Sequence, residues 1–166
     1  MYKINDVVVN KKGQVCKIVD IQTMNVGAGD TEYYVLEPCF SDNNDSSKFY
    51  IPVSYDVILR LPIAKDEILK IIEAIPSIEV IWYVNPKVRR TEFKEMYDTG
   101  DPIKIFTLIK SFERKKEELK NEKKNLSFTD ETFLKEIKHN IYNEFAVSLG
   151  KSKEEVEVLI NEALNK

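Results

Sequence analysis

The chain of 166 residues carries 43% hydrophobic and 32% charged side chains, which is the composition of a folded globular protein and not of a disordered tail. No apolar run approaches the roughly 18 residues a membrane-spanning helix needs, and Met1–Asp6 lacks the basic-then-apolar order of a signal peptide, so a cytoplasmic protein with no membrane partner is expected. The formal net charge of -3 argues neither for nor against an acidic partner such as DNA.

Residues 1–60 and 61–166 differ in periodicity, and the expectation is two domains. In the first, Asp6–Asn10 precedes a Lys11-Lys12-Gly13 turn, and Gln14–Ile21 alternates or runs apolar as a half-buried strand does, which predicts a hairpin. Met24–Asp30 is a turn-rich connector. Glu32–Glu37 is a third strand stopped by Pro38, 41–47 is a polar loop, and Lys48–Val53 is a fourth strand whose Pro52 belongs at an edge, an end or a bulge. Four or five short strands in about 60 residues predict a small twisted sheet or partly closed barrel.

From Ala64 onward the period is helical. Ile68, Ile71, Ile72 and Ile75 predict an amphipathic helix over 65–74, ended near Pro76. Glu79–Val84 is β-prone. Arg89–Tyr97 is predicted helical, and Asp101-Pro102 sets a cap and first position for a helix with Ile103, Ile105, Phe106, Ile109 and Phe112 as its buried stripe, running out along the charged stretch 113–124. Thr129 is expected to open the next helix, with Phe133, Leu134, Ile137, Ile141, Phe145 and Val147 inward and Gly150 as its stop. Ser152 and Glu155 have capping-box spacing for a last helix through Leu164.

The charges are unevenly placed. Residues 82–125 hold 12 basic and 8 acidic side chains, an excess of +4, while 1–60, 61–81 and 126–166 are each acidic on balance. Three of the four arginines lie in the basic block, where a planar guanidinium can bond two phosphate oxygens at once. The stretch 113–124 reads more readily as a solvated helix face with i,i+4 pairs than as a phosphate contact, whereas Lys87-Val88-Arg89-Arg90, beside Trp82-Tyr83, suits a solvated face and weak, salt-sensitive phosphate contact without base reading about equally. No phosphate-binding glycine loop is present, and no nucleophile–base constellation can be assembled. Cys16 and Cys39 lack metal-ligand spacing, and the single His139 leaves no Cys/His zinc set. Neither an enzyme nor a cofactor or metal site is expected.

These residues resemble a known family. Asp6–Val9, the turn at 11–13, Glu32–Leu36 and Phe49–Val53 look like the polymerase-interacting domain of the CarD/CdnL transcription regulators, a domain that recurs in transcription-repair coupling factor. Arg89-Arg90, Thr99–Pro102, the helix 103–115 with Lys110, Arg114 and Lys115, Leu126-Ser127, and Glu144–Ala146 before Gly150 are similar to CarD's helical domain. The sequence departs from the family at Asp130-Glu131, where members tend to be basic. The resemblance implies an α+β protein: a Tudor/SH3-like twisted sheet or partly open barrel over 1–60, then an all-helical domain over 61–166.

It also implies a bacterial transcription regulator, acting as a monomer, that binds the RNA polymerase β subunit through its first domain and contacts promoter DNA weakly and without sequence preference through its second. In the family a tryptophan wedges at the minor groove of the melted fork. Thr23, Met24, Lys48, Phe49 and Tyr50 match the polymerase-contact positions, by β-augmentation, although Phe49 and Tyr50 suit ordinary strand packing as well. Trp82, Lys87, Arg89, Arg90, Lys94, Arg114 and Lys115 are the candidate DNA contacts, with Trp82 either wedge or core. The rival expectation is a protein-interaction adaptor with the same fold and little or no DNA binding.

Overall fold

The computed structural model describes residues 1–40 and 47–166, so most of the loop expected at 41–47 lies outside the described residues. The architecture is α+β, a four-stranded antiparallel sheet followed by helices, and the chain divides into two compact units, Met1–Ile63 and Ala64–Lys166.

In the first unit β1 (Val7–Val9), β2 (Val15–Asn25), β3 (Asp30–Pro38) and β4 (Phe49–Pro52) form a meander in the order β1-β2-β3-β4. The β1–β2 turn is built by Asn10, whose Oδ1 accepts hydrogen bonds from the amides of Lys12 and Gln14, while Gly13 supplies the positive φ of 84° that the turn requires. β2 runs through Asn25, further than the connector expected at 24–30, which shrinks to a tight turn at Val26–Gly29. A register shift between Ile18 and Asp20 marks a bulge at Val19. It explains a spacing that strict alternation does not: Ile18 and Ile21, three apart, both pack on the core because the extra residue resets the phase. Val8, Cys16, Ile18, Tyr34, Leu36, Ile51 and Leu59 form that core, with Tyr2, Phe49, Val53 and others against it. After β4 a 3-10 segment, Val53–Ile58, returns the chain to β1, where Val9 and Arg60 exchange backbone hydrogen bonds.

The second unit comprises α1 (Lys65–Ala74), α2 (Pro86–Asp98), α3 (Pro102–Asn121), α4 (Phe128–Leu149) and α5 (Lys153–Leu164). α2 starts three residues before the expected Arg89 because Asn85-Pro86 repeats the cap-then-proline signal of Asp101-Pro102, with Asn85 Oδ1 accepting from the amides of Lys87 and Val88. Ser127 caps α4, so the helix opens at Phe128, one residue before the expected Thr129. Gly150 stops α4 in the left-handed conformation (φ 63°), and the Ser152–Glu155 capping box is present. The inward stripes close a core of isoleucines from α1, Phe93 of α2, Phe106, Ile109 and Phe112 of α3, Leu134, Ile137 and Phe145 of α4, and Val156 and Ile160 of α5.

The β-prone stretch 79–84 forms no strand. Its backbone, together with the residues just before it, is held by side chains of the helices. Lys110 Nζ donates to the carbonyls of Ile75, Pro76 and Ile78 at 3.0, 2.9 and 2.8 Å. Ser111 Oγ accepts from the Ile81 amide, and Arg89 Nη1 donates to the carbonyls of Tyr83 and Val84. Buried backbone groups must find partners, and in place of a neighbouring strand three side chains supply them.

Candidate nucleic-acid and partner-strand sites

The five residues expected to touch a polymerase do not form one patch. Thr23 and Met24 pair with Glu32 and Thr31 on one flank of β3, whereas Phe49 and Tyr50 pair with Leu36 and Val35 on the other. The register therefore places them on opposite sides of the sheet order. Phe49 packs on the core, Lys48 forms an ion pair with Glu37 at 3.6 Å, and Tyr50 is 47% exposed.

Two flanks are open among the described residues: the outer side of β4, which pairs only with β3, and the far half of β2 beyond β1. β1 covers β2 at Val15–Lys17, and Ile18 exchanges backbone hydrogen bonds with Asn5 and Asp6. From Asp20 to Asn25 that flank has no strand partner among the described residues. Antiparallel ladders alternate bonded and non-bonded pairs. Counting from the Val26 amide, which donates to the Gly29 carbonyl, Ile21, Thr23 and Asn25 turn their backbone groups to the open side. The Ile21 amide there donates to Asp20 Oδ1 at 2.9 Å, and Gln22 Nε2 donates to Asp20 Oδ2. Those two bonds hold the Asp20 carboxyl below its ordinary value. Asp20 thus covers the start of the open edge, and Thr23 lies beyond it.

The seven DNA candidates also separate. Arg89 is a correction: it is buried, with Nη2 donating to Asp130 Oδ2 at 2.8 Å and Nη1 committed to the two carbonyls of 83–84, so it does not face a phosphate. Asp130, the acidic departure from the family pattern, is its counter-ion. Trp82 is partly buried, edge-on to Phe93 and Phe112, with the Arg89 guanidinium 4.5 Å and the Lys115 ammonium 5.6 Å from its ring centroid. A ring caged by two aromatics and two cations serves the packing of α2 on α3 and is not a projecting wedge.

Lys115 further pairs with Glu118, and Lys94 pairs with Asp98 at 2.6 Å. Arg114 lies elsewhere, in a cleft of about 210 Å³ between α3 and α5 lined also by Glu113, Glu117, Asn161, Leu164 and Asn165. Lys87 and Arg90, on the first turns of α2, are exposed and form no ion pair among the described residues. Lys110, counted in the basic block, is buried on its three carbonyls. Burial, then Arg114, pulls its ammonium below the ordinary lysine value.

Two residues outside the expected set stand out. Val84 and Phe128 are each 87% exposed, and the Arg89 guanidinium joins the Val84 carbonyl to the first turn of α4, which Phe128 opens. The signal in the sequence was Phe128's position five residues before Phe133, out of phase with the inward stripe. Among the described residues no group of His, Cys, Asp and Glu could hold a metal ion, and no helix is long and apolar enough to cross a membrane. Cys16 and Cys39 are free, and burial pushes the Cys16 thiol up to about 12. No family model matches the chain, and no curated protein matches it.

Proposed function

We propose that this protein is a CarD-like transcription regulator whose sheet unit binds the RNA polymerase β subunit by strand addition and whose helical unit makes weak, sequence-blind contact with promoter DNA. The observation that carries the reading is the open flank of β2 over Asp20–Asn25, where Thr23 turns its backbone toward an absent neighbour. An unpaired flank of that length is a template for a partner strand, with backbone bonds giving affinity and alternate side chains giving choice. Tethering to a polymerase raises the effective concentration of the second unit, so phosphate contact by Lys87 and Arg90, exposed and in no ion pair among the described residues, suffices.

The test is capture of bacterial polymerase β subunit by the full chain. Thr23→Pro removes one outward donor while leaving the β2–β3 ladder intact, and it is expected to abolish capture with an unchanged far-UV spectrum. Tyr50→Glu, on the opposite flank, is expected to leave capture intact. No capture by the unaltered chain, or full capture by Thr23→Pro, sinks the polymerase half.

A second reading, an adaptor that keeps the sheet contact and binds little DNA, is favoured by Arg89 and Trp82 being committed inside the helical unit. Fluorescence anisotropy with promoter duplex separates the two. Affinity that falls on Lys87→Ala with Arg90→Ala supports the regulator, and no binding at low salt supports the adaptor.

A further inference from the structure

We infer that the cleft between α3 and α5 binds a small free oxyanion, a carboxylate or a phosphate, on the Arg114 guanidinium. The inference goes beyond the polymerase and DNA reading and rests on neither half of it. Lys110, Glu113, Arg114 and Glu117 recur at spacings of three and four, so a single face of α3 lines the cleft. Asn161, Leu164 and Asn165 repeat the same spacing at the end of α5. Leu164 is buried, while Arg114 and the two asparagines are exposed and reachable from solvent. The volume of about 210 Å³ is below the roughly 300 Å³ at which clefts for drug-sized ligands begin, which restricts the occupant to a small ion.

Charge decides the sign of that ion. Lys110 and Arg114 lie four apart on one helix face, where like charges repel. The ion pairs of this part of α3 are Glu113–Lys138, Lys115–Glu118 and Lys116–Glu131, and none includes Lys110 or Arg114. Lys110 spends its ammonium on three uncharged carbonyls, so it acts on the cleft through its field. The charge that acts on it in turn is Arg114's, which adds to burial in lowering it. Arg114, Asn161 and Asn165 have no side-chain hydrogen bond among the described residues, so a guanidinium fork and two amides are free to donate. A planar oxyanion takes two parallel bonds from the fork and relieves the repulsion between the two cations. Against it stand Glu117 and the carbonyl end of α5, both exposed, where water and salt screen them. Glu113 is already neutralised by Lys138 at 3.1 Å.

The experiment titrates succinate and inorganic phosphate, in turn, into the full chain at an ionic strength held constant with chloride, followed by NMR of the side-chain amides and by calorimetry. The expected result is saturable binding in the millimolar range that moves the amide signals of Asn161 and Asn165, the tighter probe identifying the preferred oxyanion. Arg114→Gln should weaken it at least tenfold and, because the residue is exposed, leave the urea midpoint unchanged. Glu117→Gln should tighten it about threefold by removing a nearby negative charge. Lys104→Gln, an exposed cation near the other end of α3, should leave it unchanged. Shifts that rise linearly without saturating for both probes overturn the inference, as does full affinity in Arg114→Gln. A loss in Lys104→Gln equal to that in Arg114→Gln would assign the effect to diffuse charge and overturn it too. None of these outcomes touches polymerase capture or DNA anisotropy, so the two readings fail separately.

Discussion

In the sheet unit, turn and bulge amides are met by residues close in sequence, as Asn10 closes the turn at 10–14 and Asp20 holds the Ile21 amide, and Tyr2 alone among these reaches far, to Tyr34 and Leu59. In the helical unit the irregular stretch 75–84 is met by Lys110 and Ser111 from 30 to 35 residues away and by the nearby Arg89, which must itself be balanced by Asp130 across 41 residues. The first solution leaves part of a strand edge open. The second consumes charges that composition alone assigns to the surface. Basic residues therefore mean different things in this chain according to whether irregular backbone lies beside them.

Breaking the long-range solution should have the largest effect. Asp130→Ala strands a buried guanidinium and should destabilise the helical unit by about 3–5 kcal/mol, whereas Arg89→Met combined with Asp130→Leu should recover most of that loss. Trp82, the single tryptophan, reports on this unit, so its fluorescence in a urea titration measures both. An unchanged midpoint for Asp130→Ala would show that the bridge is dispensable. Lys110→Met keeps the stem's packing but orphans three carbonyls, with an expected cost of about 1–3 kcal/mol on the same readout.

The units should also part company in alkali. The buried Cys16 thiol is raised from 9.0 to about 12, so its contribution to the sheet unit is complete below pH 9 and is lost as pH rises toward 12. In the helical unit Tyr97 and Tyr142, raised chiefly by burial from 10.0, lose theirs only at higher pH, while the lowered Lys110 acts in the opposite sense. Under reducing conditions the sheet unit should therefore weaken first as pH rises from 9 toward 12, and Cys16→Ala should flatten that dependence, as followed by urea midpoints from circular dichroism. The smallest effect is local: Ser152→Ala removes one half of the capping box of α5 and should lower stability by about 1 kcal/mol in the same titration.

The elements of the fold were legible because their signals are local. Asp101-Pro102, Gly150 and the Ser152–Glu155 spacing each act within one turn, and the isoleucine stripe of α1 repeats every three or four residues. The stretch 79–84 misled because apolar β-prone residues promise a strand, whereas whether one forms depends on a neighbour for pairing; here Ser111 and Arg89 occupy that role. The candidate site was less legible for the same reason. That Arg89 turns inward depends on Asp130, 41 residues on, and the exposure of Phe128 follows from a cap at Ser127 that leaves it ahead of the inward stripe.

The single rung between Val9 and Arg60 has a consequence for the order of folding. Every other strand contact joins neighbours in the chain, so β1 to β4 can assemble by short closures as each strand becomes available. The return to β1, together with the Tyr2 hydroxyl's bond to the Leu59 carbonyl, is the step that needs both ends of the unit at once. During synthesis the meander can stand before Arg60 has left the ribosome, with the outer side of β1 still waiting for Arg60. The last rung then closes together with Leu59, a core residue whose carbonyl Tyr2 also holds, so reopening this end costs two backbone bonds and part of the core.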